Sequence, residues 1–435
     1  MASAKFPLDR RTLIAGLGAA ALGPALPLAG LAQGRTSLAL KATAGRLTLR
    51  PDAIETPIWA LGRPDRPLRR GETVEIAVEN ELPTPLALHC RGIDGASAAE
   101  PLLSRTPLAA KSLAAKSTEA FQLLLRHAGT FLCDPGLLAD GQARPFRGSP
   151  LIVPERETVA VDRDEVLLIE EWRLRPDGTA IAPGVDPKDT APLYTLNGKT
   201  SFELSATANE RLRLRFINAS QRSVLAIKLD DHEVRVMAID GQPAEPFSAR
   251  NGALVLAPGG RADAILDAAS AASILLHDGK QARPIGKLNV SGDPVRPAPL
   301  PPAPPLPSNG LPAQLDLKNA QRFELALGSA TDWIKPVDVA ASAPPAFRAR
   351  TGRTVVLALT NRAAIATVFH LHGHHFRLLD RLDDGWKPFW LDTLAIEPGQ
   401  TQRIAFLAEY TGRFLIESVA TDWAAPRLVR WYSVE

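Results

Sequence analysis

Two histidines have a spacing that metal chemistry can use. His370 and His372 lie two residues apart in Phe369-His370-Leu371-His372-Gly373-His374-His375-Phe376. Residues i and i+2 of a strand share a face, so both imidazoles point the same way. His89 opens the segment His89-Cys90-Arg91-Gly92. Three imidazoles meeting at one point can hold a single copper or zinc ion. The alternative is that they persist as hydrogen-bonded histidines where two domains touch, because Arg91 puts positive charge beside any cation. His127 and His232 stand alone and read as surface or cap residues. The two methionines are Met1 and Met237, so there is no Met-rich metal-entry segment. No Gly-x-Ser-x-Gly nucleophile elbow occurs.

The elements that would position these histidines read as strands. Val74, Ile76 and Val78 alternate with Glu75, Ala77 and Glu79. Leu212, Leu214 and Phe216 alternate with Arg211, Arg213 and Arg215. Period-2 alternation predicts strands with one buried face. A ruler repeats along the chain: Gly71, Asn80 and His89 are spaced nine and nine, as are Gly352, Asn361 and His370. Asn209, Asn218 and Ile227 follow the same spacing, with Ile in the histidine place. Matched self-similarity predicts a tandem array of one domain type, with any histidine chemistry in the first and third copies. The expected domains are residues 36–155, 156–293 and 313–435, each an all-β sandwich or barrel with Greek-key connections. Residues 294–312 hold nine prolines and read as a stiff, extended linker.

The chain of 435 residues is too long for one core. Residues 1–32 resemble a twin-arginine export signal: Arg10-Arg11 precede an apolar run from Leu13 to Leu31, with small residues around Ala32. Cleavage rather than anchoring is expected, since Pro24, Pro27 and several glycines oppose a spanning helix. The net charge of +3 falls to near +1 without the signal. That balance asks for no nucleic acid and no anionic membrane. The expected location is the periplasm, which permits a disulfide between the two cysteines, Cys90 and Cys133.

These segments resemble the multicopper oxidases, built from three cupredoxin domains. Gly71 to Gly92 is similar to that family's first domain entering its first copper motif. Tyr194-Thr195-Leu196-Asn197-Gly198-Lys199, Leu212 to Ser220 and Ile239-Asp240-Gly241 are similar to the second domain. Phe369 to Phe376 resembles the third copper motif, and Asp392-Thr393 with Gly412-Arg413-Phe414-Leu415 the approach to the fourth. The resemblance covers nearly the whole chain after residue 32 and implies a three-domain cupredoxin fold.

The same resemblance implies that most copper ligands are gone. The first motif, His-x-His-Gly, reads His89-Cys90-Arg91-Gly92. The second, His-x-His, becomes Asp134 and Gly136. The third begins at Thr367 and keeps His370 and His372. The fourth, His-Cys-His with a further His and Met, becomes Glu417-Ser418-Val419, then Trp423, with Leu428 near the Met place. A blue copper site needs two imidazoles and a thiolate. Thr367, Ser418 and Trp423 offer two hydroxyls and an indole, so the electron-entry copper is expected to be absent. Only His89, His370 and His372 match the oxygen-reducing cluster. Arg91 is expected to bridge Asp134 where a copper would sit, and Glu417 to accept from His372. Cys90 and Cys133 face away from that cluster and enter the domain-one core, either bonded or as two buried thiols. His374 and His375 are expected to pack the strand, as in the family's Gly-His-x-Phe segment.

Two functions follow as expectations. The chain resembles the copper-free, twin-arginine-exported family members that act as scaffolds in envelope stability or cell division. That implies an unknown periplasmic protein partner, no cofactor and no enzyme activity. Alternatively, His89, His370 and His372 hold one copper ion in a periplasmic copper-binding protein or residual oxidoreductase.

Overall fold

The computed structural model describes residues 36–51, 53–95, 114–134, 144–328, 332–336, 344–380 and 385–435. Residues 1–32, expected to be an export signal, and Gly136 lie outside them. Among the described residues no helix is long and apolar enough to cross a membrane.

Strands dominate, and each sheet stays within one of three stretches. The first has a sheet ordered Ser117–Leu124, Thr73–Asn80, Thr36–Leu47, Thr56–Leu61, Phe146–Arg147, and a smaller one of His89–Arg91, Gly129–Asp134 and Ser149–Val153. The second, between residues 163 and 290, pairs a six-stranded sheet with a five-stranded one. The third, from residue 321 to 434, pairs a four-stranded sheet with one ordered Arg348–Ala349, Arg427–Val434, Gly412–Ala420, Thr367–Leu371, Thr393–Ile396.

The repeat seen in the sequence is a repeat of pairing. Thr73–Asn80 runs parallel to Thr36–Leu47 and antiparallel to Ser117–Leu124. Arg211–Asn218 does the same with Arg163–Arg173 and Arg261–Asp267. Thr354–Asn361 does the same with Gln321–Leu327 and Thr401–Leu407. Nine residues after each asparagine the chain is in a strand of the opposing sheet, where His89, Ile227 and His370 stand.

Each asparagine ends its strand for a physical reason. Asn80, Asn218 and Asn361 are fully buried. Their Oδ1 atoms accept from the backbone two residues on, at Leu82, Ser220 and Ala363, with distances of 3.0, 3.0 and 2.9 Å. Their Nδ2 groups donate across the next turn to Thr84, Ser223 and Ile365. Asn218 and Asn361 also reach a neighbouring strand at Leu256 and Ile396. A local side-chain turn thus stops the ladder, and every polar atom of the amide is used.

The alternation maps onto the cores as expected in the first copy. Val74, Ile76 and Val78 are buried and join Leu38, Leu40 and Leu151. Each buried aliphatic contributes roughly 1.5–3 kcal/mol. In the second copy the expectation of one buried face is corrected, because all eight residues of Arg211–Asn218 are buried. The arginine face is covered and neutralised: Arg213 reaches Glu155 at 2.7 Å and Asp263 at 2.6 Å, and Arg215 reaches Asp164 at 2.6 Å. Burial raises the Asp263 carboxyl, but Arg215 and Arg213 overcome it and hold the group below its usual range. Thr130 of the first copy donates to the same Asp263 at 2.6 Å.

The proline-rich segment carries neither strand nor helix, and it is not a free spacer. Ala303 and Leu306 are buried against Met237, Ala238 and Ile265. Asn309 exchanges bonds with Ala128, accepting from its N–H at 3.0 Å and donating to its carbonyl at 2.8 Å.

Candidate functional site

Two short strands bring the histidines together. His89–Arg91 pairs antiparallel with Gly129–Asp134, setting His89 opposite Asp134 and Cys90 opposite Cys133. Thr367–Leu371 pairs with Gly412–Ala420, setting His370 opposite Glu417. Gly92 has φ of 87°, and a Cβ there would run into the Arg261 guanidinium, so a glycine must follow Arg91.

The three imidazoles form one group. His89 Nε2 is 3.2 Å from His370 Nε2, and the His89 and His372 rings stack at 3.7 Å. His370 Nδ1 is 2.9 Å from Thr393 Oγ1, whose hydroxyl donates to Asp392 Oδ1 at 2.6 Å. That hydroxyl therefore accepts from His370 Nδ1–H and leaves the Nε2 lone pair facing His89. Burial and the charge of Arg91 lower the His370 pKa to about 3, so its ring is neutral.

Charged side chains fill the remaining space. Arg91 Nη2 is 3.3 Å from Asp134 Oδ2, so the expected pair does meet, and 3.3 Å from Glu417 Oε1. Glu417 Oε1 is 2.7 Å from His372 Nε2, also as expected. Burial pushes the Glu417 carboxyl up, but Arg91, Arg427 and His372 together hold it well below its usual range. Arg427 was missed in the sequence: its Nη1 donates to Glu417 Oε2 at 2.9 Å, and its Nη2 to Gln221 at 2.6 Å. Its signal was its place beside Leu428, one step along a strand and so on the opposite face. The cavity left between Arg91, Asp134, Glu417, Val419 and Arg427 is about 20 Å³, room for about one water.

On the other face of the same strands lie Thr367, Phe369, Ser418 and Leu428. Thr367 Oγ1 donates to Asn361 Oδ1 at 3.2 Å. Trp423 does not join them. Its Nε1 donates to the Ala182 carbonyl at 3.2 Å, and the Arg173 guanidinium lies 5.5 Å from its ring centre. The indole is a peg between the second and third copies. The only cysteines in the chain, Cys90 and Cys133, are buried in the domain-one core with Sγ atoms 2.6 Å apart and no bond between them. Contact with Cys90, then burial, raises the Cys133 thiol pKa well above its usual value.

Four further histidines are placed as follows. His374 packs among Phe406, Phe414 and Tyr432, with Nδ1 2.7 Å from the Tyr432 hydroxyl. His375 instead makes an ion pair with Asp94 at 2.8 Å. The reading of His127 as a surface or cap residue is corrected: it is 7% exposed and lies 3.4 Å from Asp94. His232 is also buried, with Nδ1 2.9 Å from the Asp230 carbonyl in its own turn.

Three β-sandwich copies joined through a histidine-bearing seam define a cupredoxin-array protein. Residues 163–274 and residues 314–435 each match a multicopper oxidase family model, together more than half of the chain. The chain belongs to the multicopper oxidase superfamily. It is 23% identical over 404 residues to the multicopper oxidase MmcO of Mycobacterium tuberculosis, covering 79% of this chain and 75% of that one. Among solved structures it is similar to a multi-copper oxidase from Pseudomonas thermotolerans, with a TM-score of 0.76, 22% identity and coverage of 92% and 99%. McoA of Aquifex aeolicus gives a TM-score of 0.73 at 16% identity, covering 92% of this chain and 96% of that one. These structural likenesses carry the fold alone.

The family binds copper, and the residues present fit that metal unevenly. The face with Thr367 and Ser418 supplies neither thiolate nor imidazole. Arg91 and Arg427 occupy the ion-paired ground beside Asp134 and Glu417. His89, His370, His372 and Glu417 offer ligand atoms within 4.8 Å of one another, a set that could hold one ion.

Proposed function

We propose that this protein is an exported, multicopper-oxidase-like chain without an electron-entry copper, working as a non-catalytic periplasmic scaffold for a protein partner in the envelope. The observation that carries this is the chemistry at Thr367 and Ser418. The family's reaction requires a one-electron acceptor bound by sulfur and imidazole, and both of this chain's cysteines lie in another domain's core. The Arg91–Glu417–Arg427 ion pairs support it further, since they neutralise the seam without metal. The Arg10-Arg11 signal supports export, and the partner is expected to be protein because the near-neutral charge draws no polyanion. Copper reconstitution of the purified chain, followed by visible absorption and oxygen uptake with phenols, tests this. No blue band and no uptake are expected; turnover would overturn the reading.

One observation favours a second reading. Thr393 and Asp392 fix the His370 tautomer so that its Nε2 lone pair faces His89, the arrangement that outer-shell partners give a metal-bound imidazole. One copper ion held by His89, His370 and His372 would follow. Near-stoichiometric copper lost in His370→Ala would support it.

A further inference from the structure

A second buried cluster lies where the first and third copies, the second copy and the proline-rich segment meet. Its members are Asp94, His127 and His375, with Gln242 against them. Their exposures are 3, 7, 3 and 1%. Asp392 and Arg261 separate it from the His89 group: Asp392 Oδ2 is 3.9 Å from His375 Nε2, and Arg261 is bonded to Asp392 at 2.7 Å.

The hydrogen bonds fix where the ring nitrogens point. His375 Nε2 is 2.8 Å from the Asp240 backbone carbonyl, which only accepts. The ring therefore carries a hydrogen on Nε2, while Nδ1 meets Asp94 Oδ1 at 2.8 Å in the ion pair and shares a proton with that carboxylate. Asn309 is held by both backbone groups of Ala128, so its Nδ2 donates to Gln242 Oε1 at 2.9 Å. Gln242 must then present its NH₂ to His127 Nδ1 at 3.0 Å, with His375 Nδ1 3.4 Å away. His127 Nδ1 is thus an acceptor, and it too faces Asp94, at 3.4 Å from Oδ2. Two ring nitrogens and a carboxylate converge in a buried place. A dication there would take the place of the proton between His375 and Asp94 and of the Gln242 amide hydrogen on His127, and would bind all three ligands.

We propose that Asp94, His127 and His375 form a divalent-cation site of the zinc type, separate from the His89–His370–His372 group. Two imidazoles and one carboxylate suit zinc, whereas magnesium and calcium take mainly oxygen ligands. The Asp240 carbonyl on His375 Nε2–H is the outer-shell bond that orients a metal-ligating imidazole. The ligand-atom separations of 2.8 and 3.4 Å are close to the ~3.3 Å between neighbours on a tetrahedral ion with bonds of about 2.0 Å. A cavity of about 270 Å³ lined by Gln242, Asn309 and Trp390 reaches the cluster's edge and gives an ion a way in past the Gln242 amide.

The test uses the full exported chain, stripped with chelator, exposed to zinc and desalted. Wild type and His370→Ala are expected to retain one zinc per chain and to gain in Tm with zinc. His127→Gln is expected to lose that zinc and the Tm gain. Equal zinc in His127→Gln and wild type overturns the site, as does no zinc in either wild type or His370→Ala. Should His127→Gln fail to fold, cobalt decides. Ligand-field bands of tetrahedral strength in the His370→Ala chain support the site, and their absence overturns it. The copper experiment on His370→Ala reports on the other group, so the two readings fail independently.

Discussion

Arg91 of the first copy and Glu417 of the third lie 3.3 Å apart, both almost without solvent. Such a pair does not by itself stabilise a fold, because desolvation offsets the attraction. Removing one member is different, since it strands a buried charge. Arg91→Ala is expected to lower unfolding stability by about 3–5 kcal/mol. Arg91→Met with Glu417→Leu should recover most of that loss. Urea denaturation of the two variants checks both outcomes. A cost under about 1 kcal/mol in Arg91→Ala would mean that the pair is open in solution.

The face carrying Thr367 and Ser418 should resist conversion into a blue copper site. Thr367→His with Ser418→Cys restores one imidazole and the thiolate. The second imidazole would have to come from position 423, and Trp423 there is turned to the Ala182 carbonyl and Arg173. The double variant loaded with copper is expected to lack the intense visible band of trigonal thiolate copper. Its appearance would show that position 423 is not needed.

Asn361→Ala removes an amide that bonds Ala363, Ile365 and Ile396. Buried backbone groups left without partners cost about 1–3 kcal/mol each. A loss of roughly 2–4 kcal/mol is expected, and Asn80→Ala and Asn218→Ala should behave alike. Asp at position 361 would keep the acceptor to Ala363 and lose both donors. Thermal melting of the four variants would rank them, and a neutral Asn361→Ala would refute the role given to the amide.

Alkaline pH should unfold the protein through its tyrosines. Burial, with Glu171 and Asp278 adding to it, raises the Tyr194 pKa above its usual value of 10.0. Burial, then Asp94 and Glu409, raises Tyr410. A raised phenol keeps its proton in the fold while the unfolded chain releases it. This contribution is therefore full below pH 10 and lost as pH rises beyond it. Tyrosinate absorbance is expected to appear together with unfolding, not before it. Tyr194→Phe should move the alkaline midpoint upward. Titration of all three tyrosines in a chain that stays folded would contradict this.

Much of the frame was legible in the sequence because it is written in local periods. The nine-residue spacing marks a strand, a turn closed by asparagine and a crossing to the opposite sheet. The Arg91–Asp134 and Glu417–His372 contacts could be anticipated because the resemblance to the family aligned these positions with its metal ligands. What stayed hidden depends on contacts far apart in the chain. His127 looked isolated because Asp94, Gln242 and His375 reach it from three other segments. Arg211, Arg213 and Arg215 looked like a solvated face because Glu155, Asp164 and Asp263 lie tens of residues away. Trp423 was aligned with a ligand by the resemblance, yet its ring direction is set by Ala182 in another copy.

The asparagine turns have a consequence for how such a chain can change. The amides that close each sandwich are Asn80, Asn218 and Asn361, and none of them belongs to the seam where His89 and His370 meet. Shape and redox chemistry are thus carried by different letters of the sequence. Mutation can alter the second while the first goes on being inherited intact.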